Sequence, residues 1–290
     1  MPEGFSAAAA LLPDVYKAAA LALPEKDRKR TEEIRLRSGR EASVLLPEGE
    51  RVLCRGIKAV ERDMREVLER ATCSSVHSAA HELRRGFVSA ALGVRVGVCG
   101  TLSDVSGGGI RGISSVCIRV PRQIKNAGAE AISLLARSRE SVLVLSPPGG
   151  GKTTFLRELV RTVSDSGVRV SLCDERGEIA ASVNGLPQFD VGRCTDVLTG
   201  APKADAAMML LRAMNPQVIA LDEITEGRDI DAIENAANCG VRVYATAHAA
   251  SPDELLRRPL YRRLMEAQAF EAAVLISGAG ANRRYEVTGL

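Results

Sequence analysis

The sequence predicts an α/β protein in which a smaller mixed α/β N-terminal domain precedes a domain built on a mainly parallel sheet. The chain has 290 residues, enough for two domains. Its 46% hydrophobic and 26% charged residues are typical of a globular protein with a buried core. After residue 140, short apolar runs alternate with helical ones. We therefore expect an N-terminal domain over residues 1–125, a connecting helix over 126–140 and a C-terminal domain over 141–290.

The N-terminal domain alternates between helical and strand-like patterns. The spacing of apolar residues predicts helices over 15–23 and 58–71. The segment between them, 33–53, contains short apolar runs interrupted by turn residues, which predicts short strands. Residues 87–120 are strand-like again, with apolar residues alternating beside glycines. These patterns predict a mixed α/β domain.

The C-terminal domain repeats a strand, a loop and a helix. Its apolar strands are continuous rather than alternating, which is typical of a parallel sheet buried on both faces. The predicted strands are 141–145, 168–173, 218–222 and 241–246, and the predicted helices are 152–164, 204–214 and 229–238. We expect strand 168–173 to lie beside strand 141–145.

A glycine-rich loop follows the first of these strands and opens a helix. It reads Ser146-Pro147-Pro148-Gly149-Gly150-Gly151-Lys152-Thr153-Thr154. Glycines let backbone N–H groups turn towards phosphates, and the N-terminus of the helix adds positive partial charge. In such a loop Lys152 neutralises phosphate charge and the Thr153 hydroxyl ligates Mg²⁺. The usual motif begins with glycine where this chain has Ser146, whose small side chain leaves the loop workable.

Adjacent carboxylates stand at the end of strand 218–222. Hydrolysis of a nucleotide needs one carboxylate to hold Mg²⁺ through water and another to activate the attacking water. We assign Asp222 to the first task and Glu223 to the second. The acidic turn 174–178 follows strand 168–173, so Glu175 competes with Glu223 as the base; a solvated charged loop is the alternative for this turn.

Other polar residues are weaker candidates. His248 follows the strand 241–246 at its carboxyl end, where a polar side chain can sense the γ-phosphate; a capping or core histidine is the alternative. Arg283 and Arg284 are expected to be solvated surface residues, with contact to anionic lipid as the alternative.

With these motifs the chain resembles the stage III sporulation AA family, which is related to the ring-forming secretion and pilus-motor ATPases. The segments that carry the resemblance are 33–40, 95–100, 113–120, 146–154, 174–178, 211–224 and 237–248. The Ala-rich first 30 residues and the tail after 255 carry little of it.

The resemblance implies a RecA-like P-loop ATPase domain that binds ATP and Mg²⁺ and works in a homo-oligomeric ring, a hexamer. It also implies that the ring energises a membrane-spanning complex between mother cell and forespore through membrane-protein partners. The N-terminal domain offers arginines for the phosphates bound by a neighbouring subunit, with Arg119 and Arg95 preferred because they lie in or at the end of compact strands. Surface salt bridges are the alternative for both arginines.

Charge leaves a second class of motor open. Residues 1–140 carry a net charge of +6 and the remainder −3, and a basic half suits nucleotide phosphates, nucleic acid or a membrane surface. A motor that translocates nucleic acid is therefore an alternative. Single-strand binding usually uses aromatic stacking platforms, yet this half contains only Phe5, Tyr16 and Phe87. A non-catalytic nucleotide switch is a third possibility.

The sequence also indicates where the protein works. The apolar run 5–23 is interrupted by Pro13, Asp14 and Lys17, unlike a signal peptide. Seven widely spaced cysteines without a C-x-x-C pair are typical of free thiols in a reducing compartment. We expect a cytoplasmic protein without a transmembrane segment, associated with the membrane peripherally through its partners.

Overall fold

The structure is a computed structural model that describes residues 3–72, 83, 86–102, 110–121, 123–183, 185–278 and 282–290. It divides into two compact units, Met1–Arg122 and Gln123–Leu290. In the described part of the chain, no helix is long and apolar enough to cross a membrane.

The first unit is an antiparallel sheet with helices packed on it. In the described residues the sheet has the strand order β3-β2-β1-β6-β5-β4. The strands are β1 (Glu33–Arg37), β2 (Ser43–Leu46), β3 (Gly49–Val52), β4 (Phe87–Ser89), β5 (Arg95–Leu102) and β6 (Ile110–Arg119). The helices are α1 (Glu3–Ala10), α2 (Asp14–Leu21), α3 (Glu25–Arg30) and α4 (Glu61–Ala71). The strands and turns predicted over 33–53 are confirmed.

Alternation of apolar and polar residues builds the core of this unit. Ile34 and Leu36 on β1 are fully buried while their neighbours along the strand are partly exposed, as a sheet covered on one face requires. The Ala-rich start forms α1 and α2, which are separated by Pro13, and α2 buries Tyr16. The Tyr16 hydroxyl donates to the Asp63 carboxylate on α4 at 3.1 Å, so the N-terminal helices are part of this domain's own core.

The second unit is a mainly parallel sheet covered by helices. Its described strand order is β13-β12-β7-β11-β10-β8-β9, with β13 antiparallel at one edge. The strands are β7 (Val142–Ser146), β8 (Val170–Asp174), β9 (Thr195–Thr199), β10 (Val218–Leu221), β11 (Arg242–His248), β12 (Ala272–Ser277) and β13 (Arg284–Gly289). The helices are α5 (Ala129–Ser138), α6 (Lys152–Asp165), α7 (Lys203–Met214), α8 (Gly227–Asn238), α9 (Pro252–Leu256) and α10 (Pro259–Glu266).

Every residue of β7, β8 and β10 is buried, which agrees with the continuous apolar runs that predicted them. The predicted neighbour of the phosphate-loop strand is wrong. β7 pairs with β11 and β12, whereas β8 pairs with β10 and β9. Helical connections let a parallel strand join either side of a sheet, so chain order alone does not determine which strands are adjacent.

Candidate nucleotide-binding and catalytic site

The phosphate loop runs from the end of β7 into α6 as a close turn. Gly149 and Gly151 have φ angles of +73° and +102°, a region that side chains disfavour. Gly150 is required by space, because a Cβ there would lie 2.2 Å from the Ser146 hydroxyl oxygen. The Gly150 N–H and the Ser146 hydroxyl both donate to the carbonyl of Pro147, at 3.1 and 2.9 Å. Serine therefore fits at the first position of the loop.

Lys152 is buried and lies in a chain of polar contacts. Its ammonium donates to the carbonyl of Ser146 at 3.2 Å and lies 2.7 Å from His248 Nδ1. On the other side of the ring, His248 Nε2 lies 2.8 Å from Glu223 Oε1. An ammonium only donates, so Nδ1 accepts and the ring proton on Nε2 points to the carboxylate. Lys152, His248 and Glu223 thus form a continuous hydrogen-bonded chain, which we call the Lys–His–Glu chain.

Sheet order brings these three residues together. β11 lies between β7 and β10, and its last residue, His248, pairs with Ser146 at the start of the phosphate loop. β10 pairs with the other side of β11, with Leu221 opposite Ala245. The carboxyl ends of parallel strands meet at one edge of the sheet, so Glu223 reaches the loop from two strands away.

Asp222 occupies the same edge with a different environment. The Thr246 hydroxyl donates to its Oδ1 atom at 3.3 Å. Burial raises the pKa of Asp222 above its usual range. Burial also lowers the pKa of Lys152, although the Glu223 and Asp222 carboxylates oppose that shift. A partly desolvated lysine beside two carboxylates is typical of a functional site.

The donor set fits the expected ligands. Thr153 and Thr154 are the second and third residues of α6 and are partly exposed. The hydroxyl of Thr153 and the carboxylate of Asp222 are oxygen donors of the kind that Mg²⁺ prefers. Pro147 and Pro148 lie in the exposed part of the loop before the glycines, and the loop backbone with the N-terminus of a 14-residue helix suits a phosphate.

The acidic turn at the end of β8 is stabilised by hydrogen bonds between its own residues. The fully buried Asp174 carboxylate accepts backbone N–H groups from Glu178 at 2.9 Å, Ile179 at 3.1 Å and Ala180 at 2.8 Å. Burial raises the pKa of Asp174, and these three N–H groups oppose the shift. Arg157 on α6 donates to the carbonyl of Glu178 at 2.7 Å. Asp174 therefore acts as the acceptor that shapes this turn.

Glu175 is held by a lysine rather than by the phosphate loop. Lys203, at the start of α7, is buried and places its ammonium 2.9 Å from Glu175 Oε2. The same ammonium lies 3.7 Å from Asp229 Oδ2 and 3.4 Å from the Thr225 hydroxyl. Sequence reasoning did not single out Lys203, because a lysine at the first position of a helix is ordinary on a surface.

Two groups of arginines complete the description. Arg119 is the last residue of β6 and is mostly exposed; its Nε atom lies 3.6 Å from Glu33 Oε1 in a weak surface ion pair. Arg95 on β5 places its guanidinium over the ring of Phe87, 3.6 Å from the ring centroid. In the second unit, Arg283 donates from Nη2 to the Gly149 carbonyl at 3.4 Å. Arg283 is therefore a partly exposed residue that contacts the phosphate loop and buries its Nε atom, rather than a fully solvated one.

The fold is that of the RecA-like secretion and pilus ATPases. The pilus retraction motor PilT with bound ADP matches with a TM-score of 0.66 at 17% identity, covering 92% of this chain and 81% of that one. The ATPase DotB of Yersinia pseudotuberculosis matches with a TM-score of 0.60 at 14% identity, covering 89% of this chain and 74% of that one. At these identities the likeness shows the fold alone.

Sequence comparison is more specific. Stage III sporulation protein AA of Bacillus subtilis (strain 168) is 37% identical over 281 residues, which is 93% of this chain and 90% of that protein. The family described as "Sporulation stage III, protein AA" matches residues 17–289. The chain therefore belongs to the stage III sporulation protein AA family.

Proposed function

We propose that this protein is an Mg²⁺-dependent ATPase that works as a homo-oligomeric ring and energises a membrane-spanning, secretion-like complex between mother cell and forespore during sporulation. The Lys–His–Glu chain is the observation that carries the proposal, since it connects the phosphate-binding lysine to a carboxylate through one imidazole. Membership of a sporulation family and the fold of pilus and secretion ATPases support the biological setting.

ATP binds on the loop of residues 146–154, with its phosphates against the backbone N–H groups and Lys152. Thr153 and Asp222 are the residues that would hold Mg²⁺. When bound, Mg²⁺ offsets negative charge on the phosphate oxygens. Burial raises the pKa of Asp222, and a bound divalent cation would favour its ionised form.

Glu223 is the general base in this mechanism. It takes a proton from water as the water oxygen bonds to the γ-phosphorus and the bond to the leaving oxygen of ADP breaks. His248 orients Glu223 through Nε2 and accepts from Lys152 through Nδ1. A γ-phosphate that draws Lys152 away from Nδ1 changes the hydrogen bonding of His248, so its arrival and loss are transmitted to the base.

Glu175 is a positioning residue in this proposal, because its ion pair with Lys203 ties it to α7. Arg119 or Arg95 supplies a cation to the nucleotide of a neighbouring subunit, which stabilises the charge of the transition state. The ring, a hexamer, acts at the cytoplasmic side of the membrane and contacts membrane-protein partners rather than nucleic acid.

Hydrolysis of Mg-ATP against protein concentration tests the proposal. We expect wild-type activity to rise faster than linearly, because each site is completed by a neighbour, and we expect Lys152→Ala to be inactive. Lys125→Ala is the matched control, since Lys125 is an exposed lysine of the same unit whose ammonium pairs with Asp190 at 3.4 Å. Activity strictly proportional to concentration would point to a self-contained subunit and count against an arginine supplied by a neighbour. Full activity of Lys152→Ala would contradict the site.

A further inference from the structure

Arg283 is placed beside the phosphate loop by the far edge of the parallel sheet. β12 runs parallel to β7, with Leu275 opposite Leu145. β13 returns antiparallel, with Arg284 opposite Ser277 at the carboxyl end of β12. Arg283 precedes β13 by one residue, so it lies at the edge of the sheet where the phosphate loop begins.

The guanidinium of Arg283 lies against the glycines of the loop. Its Nη2 atom is 3.4 Å from the Gly149 carbonyl. A Cβ built on Gly151 would lie 3.1 Å from Cζ and 3.2 Å from Nη1. The Nε atom is buried and has no hydrogen-bond partner among the described residues. Arg283 therefore brings a positive charge and an unused donor to the loop that precedes Lys152.

The position of Arg283 is fixed by packing on the phosphate-loop helix. Tyr285, two residues further on, stacks on Phe155 of α6 with ring centroids 5.4 Å apart. Gly128 makes room for this stack, because a Cβ there would lie 2.6 Å from the Phe155 ring and 3.0 Å from the Tyr285 ring. The start of β13 and the start of α6 are thus connected by one aromatic contact.

Arg283 faces the loop from the side opposite the Lys–His–Glu chain. β11, which carries His248, and β12, which leads to Arg283, lie on the two sides of β7. On the β11 side the positive charge of Lys152 is met by the carboxylate of Glu223 through His248. On the β12 side no carboxylate of the described chain forms an ion pair with Arg283.

We propose that Arg283 binds the phosphates of the nucleotide from within the same subunit. The inference rests on the proposed function and adds a phosphate ligand that the loop motif does not contain. A guanidinium with free donors binds phosphate oxygens through charge-assisted, fork-shaped hydrogen bonds. The carbonyl of Gly149 holds the side chain in place beside the loop, and Nε and Nη1 turn to the phosphate.

Direct binding measurements test this proposal with three probes, Mg-ADP, Mg-pyrophosphate and adenosine, on wild type and Arg283→Gln. We expect Arg283→Gln to weaken Mg-ADP and Mg-pyrophosphate equally, by about 10-fold or more, as for the loss of a hydrogen bond to a charged group. Adenosine binding stays unchanged. Arg284→Gln is the matched control, because Arg284 is the exposed neighbour, and we expect it to change each affinity by less than about 2-fold.

Each other outcome overturns the proposal in a distinct way. Unchanged affinities in Arg283→Gln would make Arg283 a brace of the loop, and a loss confined to Mg-ADP would place its contact on the ribose or base. A wild type that binds neither Mg-ADP nor Mg-pyrophosphate would defeat the proposed function together with this one. If circular dichroism shows that Arg283→Gln does not fold, Arg283→Lys replaces it, since lysine keeps the positive charge but lacks the planar guanidinium. An Arg283→Lys variant that binds Mg-pyrophosphate as tightly as wild type would then contradict the fork-shaped contact.

Discussion

The second unit ends two of its buried strands with the same pair of residue types, Asp-Glu, and the structure uses them differently. After β10, Asp222 and Glu223 lie two strands from the phosphate loop. Glu223 connects to Lys152 of the loop through His248, and Asp222 accepts from Thr246 on the strand between. At the end of β8, the Asp174 carboxylate accepts backbone N–H groups from the turn that follows it. The first pair faces the phosphate loop and the second shapes the chain.

The difference comes from strand order and from the first atoms each carboxylate meets. β10 has β11 between itself and β7, whereas β8 has both β10 and β11 in between. The carboxylates after β8 therefore find backbone N–H groups and Lys203 before they reach a phosphate. An acidic pair at a strand end indicates catalysis only when the sheet order brings it next to the phosphate loop.

The largest expected effect separates the two glutamates. We expect Glu223→Gln to lower kcat for Mg-ATP by about 100-fold or more, because the base that removes the water proton is lost. We expect the Glu223→Gln variant still to bind ATP. Glu175→Gln lowers kcat by less than about 10-fold, because Gln still accepts from Lys203. Steady-state hydrolysis of both variants checks this prediction, and a dead Glu175→Gln beside an active Glu223→Gln would reverse the assignment.

The next effect separates the two aspartates by stability. Asp174→Ala leaves three backbone N–H groups of a buried turn without their acceptor, so we expect the free energy of unfolding to fall by about 2–4 kcal/mol. Asp222→Ala loses a long hydrogen bond from Thr246 but also removes a carboxylate that is costly to bury, so we expect it to lower the free energy of unfolding by less than about 1 kcal/mol or to raise it. Urea unfolding of the full chain measures the free energy of unfolding of both variants. Equal decreases for Asp174→Ala and Asp222→Ala would contradict the prediction that only Asp174 stabilises its turn.

The smallest expected effect is a pH dependence at Asp222. Burial raises its pKa above the ordinary value of 3.8, so ionisation of this group is less favourable in the folded protein than in the unfolded chain, where water solvates the carboxylate. This cost is present above the folded pKa and disappears below 3.8. We expect Asp222→Asn to melt at a higher temperature than wild type at about pH 7, by an amount that shrinks as the pH falls towards about 4.

Thermal unfolding at several pH values, without nucleotide or Mg²⁺, measures this difference. Asp253→Asn is the control, since Asp253 is an exposed carboxylate of the same unit, and its melting temperature should follow wild type at every pH. A constant difference for Asp222→Asn across the range would mean that its titration does not contribute to stability.

The sequence was sufficient for the features that depend on local pattern. The phosphate loop is recognisable because glycines, Lys152 and Thr153 have fixed spacing, and β7 and β10 are recognisable because parallel strands buried on both faces are continuously apolar. The mainly parallel sheet follows from the same periodicity. Family resemblance at residues 33–40 and 146–154 is confirmed by the match over residues 17–289.

What the sequence did not provide depends on long-range pairing. The position of β8 was wrong because helical connections allow either neighbour. Lys203 and Glu175 are 28 positions apart and meet only when α7 packs beside β8. Arg283 and Gly149 are 134 positions apart and meet through the pairing of β12 with β7. A pair of arginines at the start of an edge strand has no local pattern that distinguishes a side chain beside the phosphate loop from one on the open surface.

The close approach of Ser146 to Gly150 has a consequence for how this loop can change over time. The side chain at 146 occupies the space that a side chain at 150 would need, since a Cβ at 150 would lie only 2.2 Å from the serine hydroxyl oxygen. A chain that begins the loop with serine is therefore restricted to glycine at 150. A relative that begins it with glycine has room for alanine at 150 if the Pro147 carbonyl, 3.0 Å from that Cβ, yields slightly. We therefore expect the residue types at positions 146 and 150 to covary across the family, because a side chain at one position excludes a side chain at the other.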